Sequence, residues 1–247
     1  MVKVVLHQFQ FSHFNEKVRW ALAHKGVLHD RKSYLPGPHM PSIRRLSGQT
    51  STPVMEWDGT VIAGSARIIE FLEKQVPTPI LFPGDAMLRQ RAMELVTWLD
   101  AEVGPANRTV LFAALINESR YMTSMFSRDK SLPVRLLYRL SFPLARGLIA
   151  RGNGVNPENV KKCRATTAGA LNRIGQLSET TGYLVGDSFS VADLTAASLF
   201  APLANPDHPD MARPTPIPPG VTDVLREYAD HPTIQWVNSM YEKHRPV

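Results

Sequence analysis

Two groupings in this chain hold residue types able to engage a small molecule. One joins Thr52-Pro53 to Gly64-Ser65-Ala66-Arg67; the other is Ser12-His13-Phe14-Asn15, which puts a hydroxyl, an imidazole and an amide close together. Pro53 has no backbone N–H, so it belongs at the first residue of a strand or on an edge, and the bond before it is one where a cis peptide costs little. Neighbouring backbone groups then stay free for a ligand. Ser65 opens a helix-patterned segment that it can cap, and the unpaired N–H groups and dipole of such a helix start attract a carboxylate. Ser12 heads a second helical pattern, where a serine either caps the helix or offers its hydroxyl to a bound group.

The elements that must position these residues are readable from local patterns. Val54, Met55 and Trp57 precede Asp58-Gly59, and Val61, Ile62 and Ala63 follow it. Asp-Gly between two apolar runs signals a type I′ hairpin, whose two central residues need positive φ. Ile68, Ile69 and Leu72 then share one helical face. Upstream, residues 3–9 read as a buried strand and residues 14–25 as a helix with Phe14, Val18, Ala21 and Leu22 on one face. Gly26 stands where a left-handed residue ends it. A strand is expected at residues 31–34, then a loop through Pro36, Pro38 and Pro41, so the order is β-α-β-loop-β-β-α. His7, inside the first strand, is expected to pack.

After Pro77, Pro79 and Pro83 the chain changes character. Residues 87–102 and 159–179 carry long helical patterns, and strand signals nearly vanish. Ser190-Val191-Ala192-Asp193 is a capping box, with Phe189 and Leu194 as its hydrophobic staple. Residues 131–151 are basic and apolar together. They read as a helix hairpin broken at Pro133 and Pro143 and covering the cleft; a segment lying on a membrane surface is the alternative, and membrane contact is not expected.

With 247 residues, 43% of them hydrophobic, the chain can build real cores as one large domain or two small ones. The single cysteine, Cys163, excludes an intramolecular disulfide framework, a redox dithiol and a multi-cysteine metal site. No run approaches the ~20 apolar residues of a bilayer span, and the opening Met-Val-Lys-Val-Val-Leu-His is too short for a signal segment, so a cytoplasmic protein is expected. The net charge of +6 comes from scattered lysines and arginines without a nucleic-acid motif. An anionic small molecule suits it better than a nucleic acid.

The strand-hairpin-helix at residues 51–72, the β-α-β-loop-β-β-α order and the capping box near residue 190 resemble the glutathione transferase family. The resemblance implies an α/β plus all-α architecture. Residues 1–76 would form a thioredoxin-like domain, 77–86 a linker and 87–247 an all-helical bundle, in a homodimer. Aligned on Val18-Arg19-Trp20-Ala21-Leu22, the family's catalytic tyrosine position falls on Gln8. The position held by cysteine in omega members, and by serine in theta- and zeta-like ones, falls on Ser12. A serine-type enzyme is therefore implied, with glutathione as cosubstrate and no metal. It would activate the glutathione thiol for attack on a small hydrophobic electrophile, by conjugation, dehalogenation or isomerisation, as in detoxification. Physically, a hydroxyl donating to sulfur stabilises the thiolate and a helix N-terminus adds favourable potential; each pKa unit is worth ~1.4 kcal/mol.

The same resemblance places the backbone of Thr52, beside cis-Pro53, on the cysteinyl part of glutathione. Ser65 and the N–H of Ala66 take the γ-glutamyl carboxylate, and Gln49 or Ser51 faces the glycyl end. His13 and Asn15 could assist the sulfur or hold the cap. Two residues depart from the pattern. Gly64 stands where an acid or glutamine usually meets the γ-glutamyl ammonium, a role then left to an acid such as Asp100 of a partner subunit. Arg67, a cation opposing the helix dipole, would reach an anionic ligand or a surface carboxylate. The electrophile would lie near Phe11, Val103, Tyr121, Met122, Met125 and Phe126, or these residues are simply core. The rival reading is a non-catalytic binding or regulatory member of the fold.

Overall fold

The computed structural model describes residues 2–246. Its first part runs β1 (Val4–Gln8), α1 (His13–His24), β2 (Asp30–Ser33), α2 (Met40–Ser47), β3 (Val54–Trp57), β4 (Thr60–Ala63) and α3 (Ser65–Gln75). The four strands form one sheet in the order β2-β1-β3-β4. β1 is parallel to β2 and antiparallel to β3, and β4 closes the hairpin with Val54 opposite Ala63. Asp58 and Gly59 both have positive φ, at 48° and 86°, as the type I′ reading requires. This is the thioredoxin-like order.

α2 corrects the expectation of a plain loop before the hairpin. Pro41 sits in its first turn, Ile43 is its buried anchor, and Gly48 ends it at φ +78°. Those are standard start and stop signals, but a helix of eight residues barely develops a periodic pattern.

The second part is helical: α4 (Ala86–Trp98), α5 (Gly104–Leu115), α6 (Ser119–Phe126), α7 (Leu132–Gly152), α8 (Pro157–Ser178), α9 (Val191–Ala204), α10 (Pro219–Ala229) and α11 (Pro232–His244). A single π-type turn, Leu99–Val103, joins α4 to α5. α9 is buried along nearly its whole length and is flanked by α1, α4, α5, α10 and α11. A helix enclosed on all sides has little amphipathic contrast, so its start must be marked chemically. The capping box does this: Asp193 accepts from the N–H and hydroxyl of Ser190 and from the N–H of Leu184, at 2.8 to 2.9 Å.

The proline-rich connection is pinned rather than free. Glu73 accepts from the N–H groups of Leu81 and Phe82 at 3.2 and 3.1 Å, Lys25 pairs with Glu73, and the carbonyl of Leu81 accepts from Val191 at the start of α9.

α1 is buried well beyond its apolar face. Glu16, Lys17 and Arg19 are each fully enclosed, and each has a partner of opposite charge. Glu16 accepts from Arg19 Nε and from Arg245 Nε, both at 2.8 Å; Arg245 continues to Asp210 at 2.7 Å, which also binds Arg31. This network locks α1 to the end of α11 and to the short 3-10 turn Pro209–Met211. Removing one member of a buried ionic set strands the others without a counter-charge, which costs about 3–5 kcal/mol. Glu16→Ala should therefore lower the unfolding free energy by about that amount in urea titrations; a loss under about 1 kcal/mol would mean that relaxation and water offset the missing charge.

Candidate active site

The start of α1, the Thr52-Pro53 loop and the start of α3 meet across one cleft. Its volume is about 510 Å³, and its walls are Phe14, residues 49 and 51–53, residues 63–67, Asp100 and Arg108. Gln49, Ser51, Thr52, Pro53, Ser65, Ala66 and Arg67 are thus brought together, as the resemblance implied. Ser12, His13 and Asn15 are not wall residues.

The Thr52–Pro53 peptide is cis. The carbonyl of Pro53 accepts from the N–H of Gly64 at 3.0 Å, tying the loop to the start of α3. Asn15, fully buried, donates from Nδ2 to the Thr52 hydroxyl at 3.1 Å, so α1 braces the same loop. Asn15 is in this way a positioning residue. The Nε2 of Gln49 donates to the Ser51 carbonyl at 3.0 Å and shapes the outer lip.

Ser65 does not cap α3, contrary to the sequence expectation. The cap position is Gly64, at φ +95° and ψ 137°, and Ser65 is the first helical residue. Only glycine adopts such a backbone at little cost, so a conformational requirement explains the glycine where the resemblance implies an acid or glutamine; a Cβ would have open space. The first-turn N–H groups of α3 have no intrahelical partner and lie on the cleft side with Ser65, Ala66 and Arg67. That is a carboxylate-binding arrangement.

Ser12 occupies the cap position of α1, but its side chain accepts no capping bond. It is half-buried, with its backbone N–H on Phe9. Its hydroxyl is therefore not spent on the helix. His13 is occupied: Nε2 donates to the carbonyl of Gly104 at 3.0 Å, and burial, with the charge of Arg108 adding to it, lowers its pKa to about 3. A neutral, enclosed imidazole holds α1 against α5. Gly104 also permits close approach, since a Cβ there would lie 2.6 Å from the ring of Phe14.

Two charged wall residues come from the helical part. Asp100 lines the cleft from the π-type turn of its own chain and receives the buried ammonium of Lys17 at 2.7 and 2.9 Å. Burial pushes the Lys17 pKa down while Asp100 pulls it back. Arg108 is half-buried in the wall, its Nε has no hydrogen-bond partner, and burial lowers its pKa. Sequence reasoning missed Arg108 and Lys17. The only signal was a cation in an otherwise apolar helical pattern.

Other expectations are corrected. His7 is not simple packing: it bonds Tyr34 at 2.8 Å and pairs with Glu56 at 2.6 Å. Tyr121, Met122, Met125 and Phe126, with Phe11 against them, form a second apolar core with Leu111, Leu115 and Phe142, and Val103 belongs to the main core. They line no open cavity at the cleft. Among the described residues, Glu16, His208 and Asp210 could group around a metal, but the arginines of the buried network already occupy both carboxylates.

The family model for the glutathione S-transferase N-terminal domain matches residues 6–80. The first part of the chain thus matches the glutathione S-transferase N-terminal domain, and the whole chain is similar to glutathione S-transferases in fold. A maleylpyruvate isomerase of Ralstonia sp. is 33% identical over 129 residues, which are 51% of this chain and 58% of that protein; the chain thus matches little more than half of that relative's length. A glutathione S-transferase structure from Rhodospirillum rubrum F11 superposes with a TM-score of 0.63 at 22% identity, covering 97% of this chain and 88% of that one. Another from Methylobacillus flagellatus KT, with glutathione bound, gives 0.63 at 16% identity, covering 98% and 95%. These likenesses carry the fold.

Unfolded His13 titrates near its ordinary value of 6.5, whereas the folded residue stays neutral to about 3. Between those values the unfolded chain holds the extra proton, so this residue's contribution to stability is present above pH 6.5 and is lost as pH falls. His13→Gln, which keeps a donor for Gly104, should flatten the rise of unfolding free energy with pH across that window by up to ~1.4 kcal/mol per pH unit. Identical slopes in urea titrations of both proteins would show that His13 protonates in the fold.

Proposed function

We propose that this protein is a serine-type, glutathione-dependent transferase that activates the thiol of glutathione for attack on a small electrophile. The observation that supports this reading is the meeting of cis-Pro53, the open start of α3 and the start of α1 at Phe14 across one cleft, with the hydroxyl of Ser12, itself not a wall residue, left uncapped at that helix start. The γ-glutamyl carboxylate binds the N–H groups and hydroxyl at Ser65 and Ala66. Asp100 of the same chain takes the γ-glutamyl ammonium, sharing its carboxylate with Lys17. The cysteinyl backbone pairs with Thr52, and Gln49 and Ser51 face the glycyl end. Ser12 donates its hydroxyl to the sulfur, and the α1 dipole stabilises the thiolate. The thiol proton passes to solvent, and the thiolate adds to the electrophilic carbon as a π bond opens or a leaving group departs; in an isomerisation, rotation about the new single bond and expulsion of the thiolate re-form the double bond and release glutathione.

The electrophile is the part of the reading that the cleft revises. A half-buried guanidinium, Arg108, suits a substrate bearing a carboxylate, with Phe14 as its apolar neighbour. Maleylpyruvate, named in the Ralstonia relative, is such a compound, and glutathione-dependent isomerisation is accordingly favoured over conjugation of a neutral halide. The division at residues 1–76, 77–86 and 87–247, a homodimer, a role in detoxification and a cytoplasmic location complete the proposal. Among the described residues no helix is long and apolar enough to cross a membrane. A non-catalytic binding module is the second reading, favoured by Gly64 and by the prior claim of Lys17 on Asp100.

Isothermal titration should detect glutathione at millimolar concentration or below, and no heat at that concentration would overturn both the enzyme and the cradle. Ser12→Ala should lower kcat by about tenfold to a hundredfold, the loss of one charge-assisted hydrogen bond, while glutathione affinity changes little. An unchanged rate would return Ser12 to a structural role. Arg108→Met should raise KM for an anionic maleyl substrate by about tenfold or more and leave that for a neutral aryl halide within about twofold. Equal effects on both would remove the carboxylate contact.

A further inference from the structure

Residues 131–151, expected as a hairpin broken at Pro133 and Pro143, form one helix. Pro133 lies in the first turn of α7, where its missing N–H costs nothing, and the helix runs through Pro143. Within the helix only Tyr138 and Phe142 are buried. Tyr138 donates its hydroxyl to the carbonyl of Pro36, and Phe142 enters the second core, so this face is turned inward.

The opposite face is apolar and uncovered. Leu132, Leu136, Leu140, Leu144 and Leu148 recur at every fourth position with Leu137 beside them, and their exposures run from 59% to 87%. At about 100° per residue each step of four advances by about 40°, so the row sweeps across nearly half the circumference. With Val134, this one helix holds seven of the thirteen large hydrophobic residues exposed among the described residues. Scattered exposed leucines need no explanation; a contiguous row does.

The charges beside the row are of one sign. Arg135, Arg139, Arg146 and Arg151 lie within α7, which contains no acidic residue. Arg135 and Arg139 join Arg120 of α6 around a groove of about 210 Å³, whose other walls are Thr123, Ser124, Ser127, Leu132 and Leu136. Three guanidinium groups thus gather beside two leucines of the row, while the hydroxyls of Thr123, Ser124 and Ser127 donate to carbonyls of α6. Phosphate esters bind guanidinium in this way, and acyl chains cover leucine. Pairing with a second copy through this face would set four arginines against four with no acid between them.

We propose that α7 is an interfacial anchor that seats the protein on an anionic phospholipid bilayer. The leucine row enters the boundary between headgroups and acyl chains, and lipid phosphates occupy the groove formed by Arg120, Arg135 and Arg139. The helix lies in the plane of the surface and does not cross it. This corrects the reading of residues 131–151 as a cover over the cleft.

Co-sedimentation of the full chain with phosphatidylcholine vesicles, with or without phosphatidylglycerol, tests the anchor. Binding should be at least tenfold stronger to the anionic vesicles at low salt and should fall by at least tenfold when salt is raised to about 0.5 M, where the screening length is a few ångströms. The double substitution Leu140→Ser with Leu144→Ser should reduce binding at least tenfold with an unchanged melting temperature, since both residues are exposed. Arg135→Gln with Arg139→Gln should weaken binding to anionic vesicles and reduce its salt dependence. No binding at low salt, or full binding by the leucine variant, overturns the proposal. So does conversion of an oligomer to a monomer by the leucine variant in light scattering, which would make the row an interface between copies.

Discussion

The carboxylate of Glu16 is the point on which the arrangement turns. It is fully buried and shared by Arg19 of its own helix and Arg245 from the far end of the chain, and through Arg245 it reaches Asp210. Buried ion pairs seldom stabilise a fold more than apolar residues of the same volume would, because both charges must leave water. What they impose is direction. A guanidinium fork accepts few geometries, so α1 can sit against α11 and the turn at Asp210 in very few ways. Glu16 lies in the first turn of α1, and that same turn carries Phe14 to the cleft wall and Asn15 to the Thr52 hydroxyl.

From that fixed helix the cleft is assembled by a small number of polar contacts. Asn15 holds the Thr52 hydroxyl, Pro53 holds Gly64 through its carbonyl, and Lys17 holds Asp100. The first and last join elements distant in sequence and are partly buried, where leaving a partner unmatched is costly, and the second closes the β3–β4 hairpin onto α3. The π-type turn belongs to the same design, because Asp100 lies on it and faces the cleft. The walls thereby hold an acid, two arginines and open N–H groups together, a composition suited to a zwitterionic peptide beside an anionic compound.

α7 shows how a local rule can be right about the residue and wrong about the element. Proline removes an intrahelical hydrogen bond and crowds the carbonyl of the preceding turn, which is the reason to expect a break at Pro143. Yet Tyr138 and Phe142, in the turn before it, anchor the helix inward, and the surrounding face is open. The penalty is met by packing that the local pattern does not record. The uncovered leucine row was visible in the sequence as an apolar and basic mixture, but its exposure was not.

Short-range chemistry was legible from residues alone. The Asp58-Gly59 hairpin, the end of α1 at Gly26 and the box at Ser190 and Asp193 follow from backbone conformations and caps that neighbours decide, whereas the grouping of Thr52, Pro53, Ser65 and Ala66 came from the family resemblance. The change from an α/β to an all-helical half was legible too. Tertiary structure alone decided that Gly64 rather than Ser65 caps α3, that Ser12 keeps its hydroxyl uncapped, and that Asp100 and Arg108 complete the cleft of their own chain. The last of these depends on contacts between residues about ninety positions apart, such as Lys17 with Asp100 and His13 with Gly104. A charge or imidazole on a helix looks the same in sequence whether it faces water or a partner, and only the packing of the helices determines which.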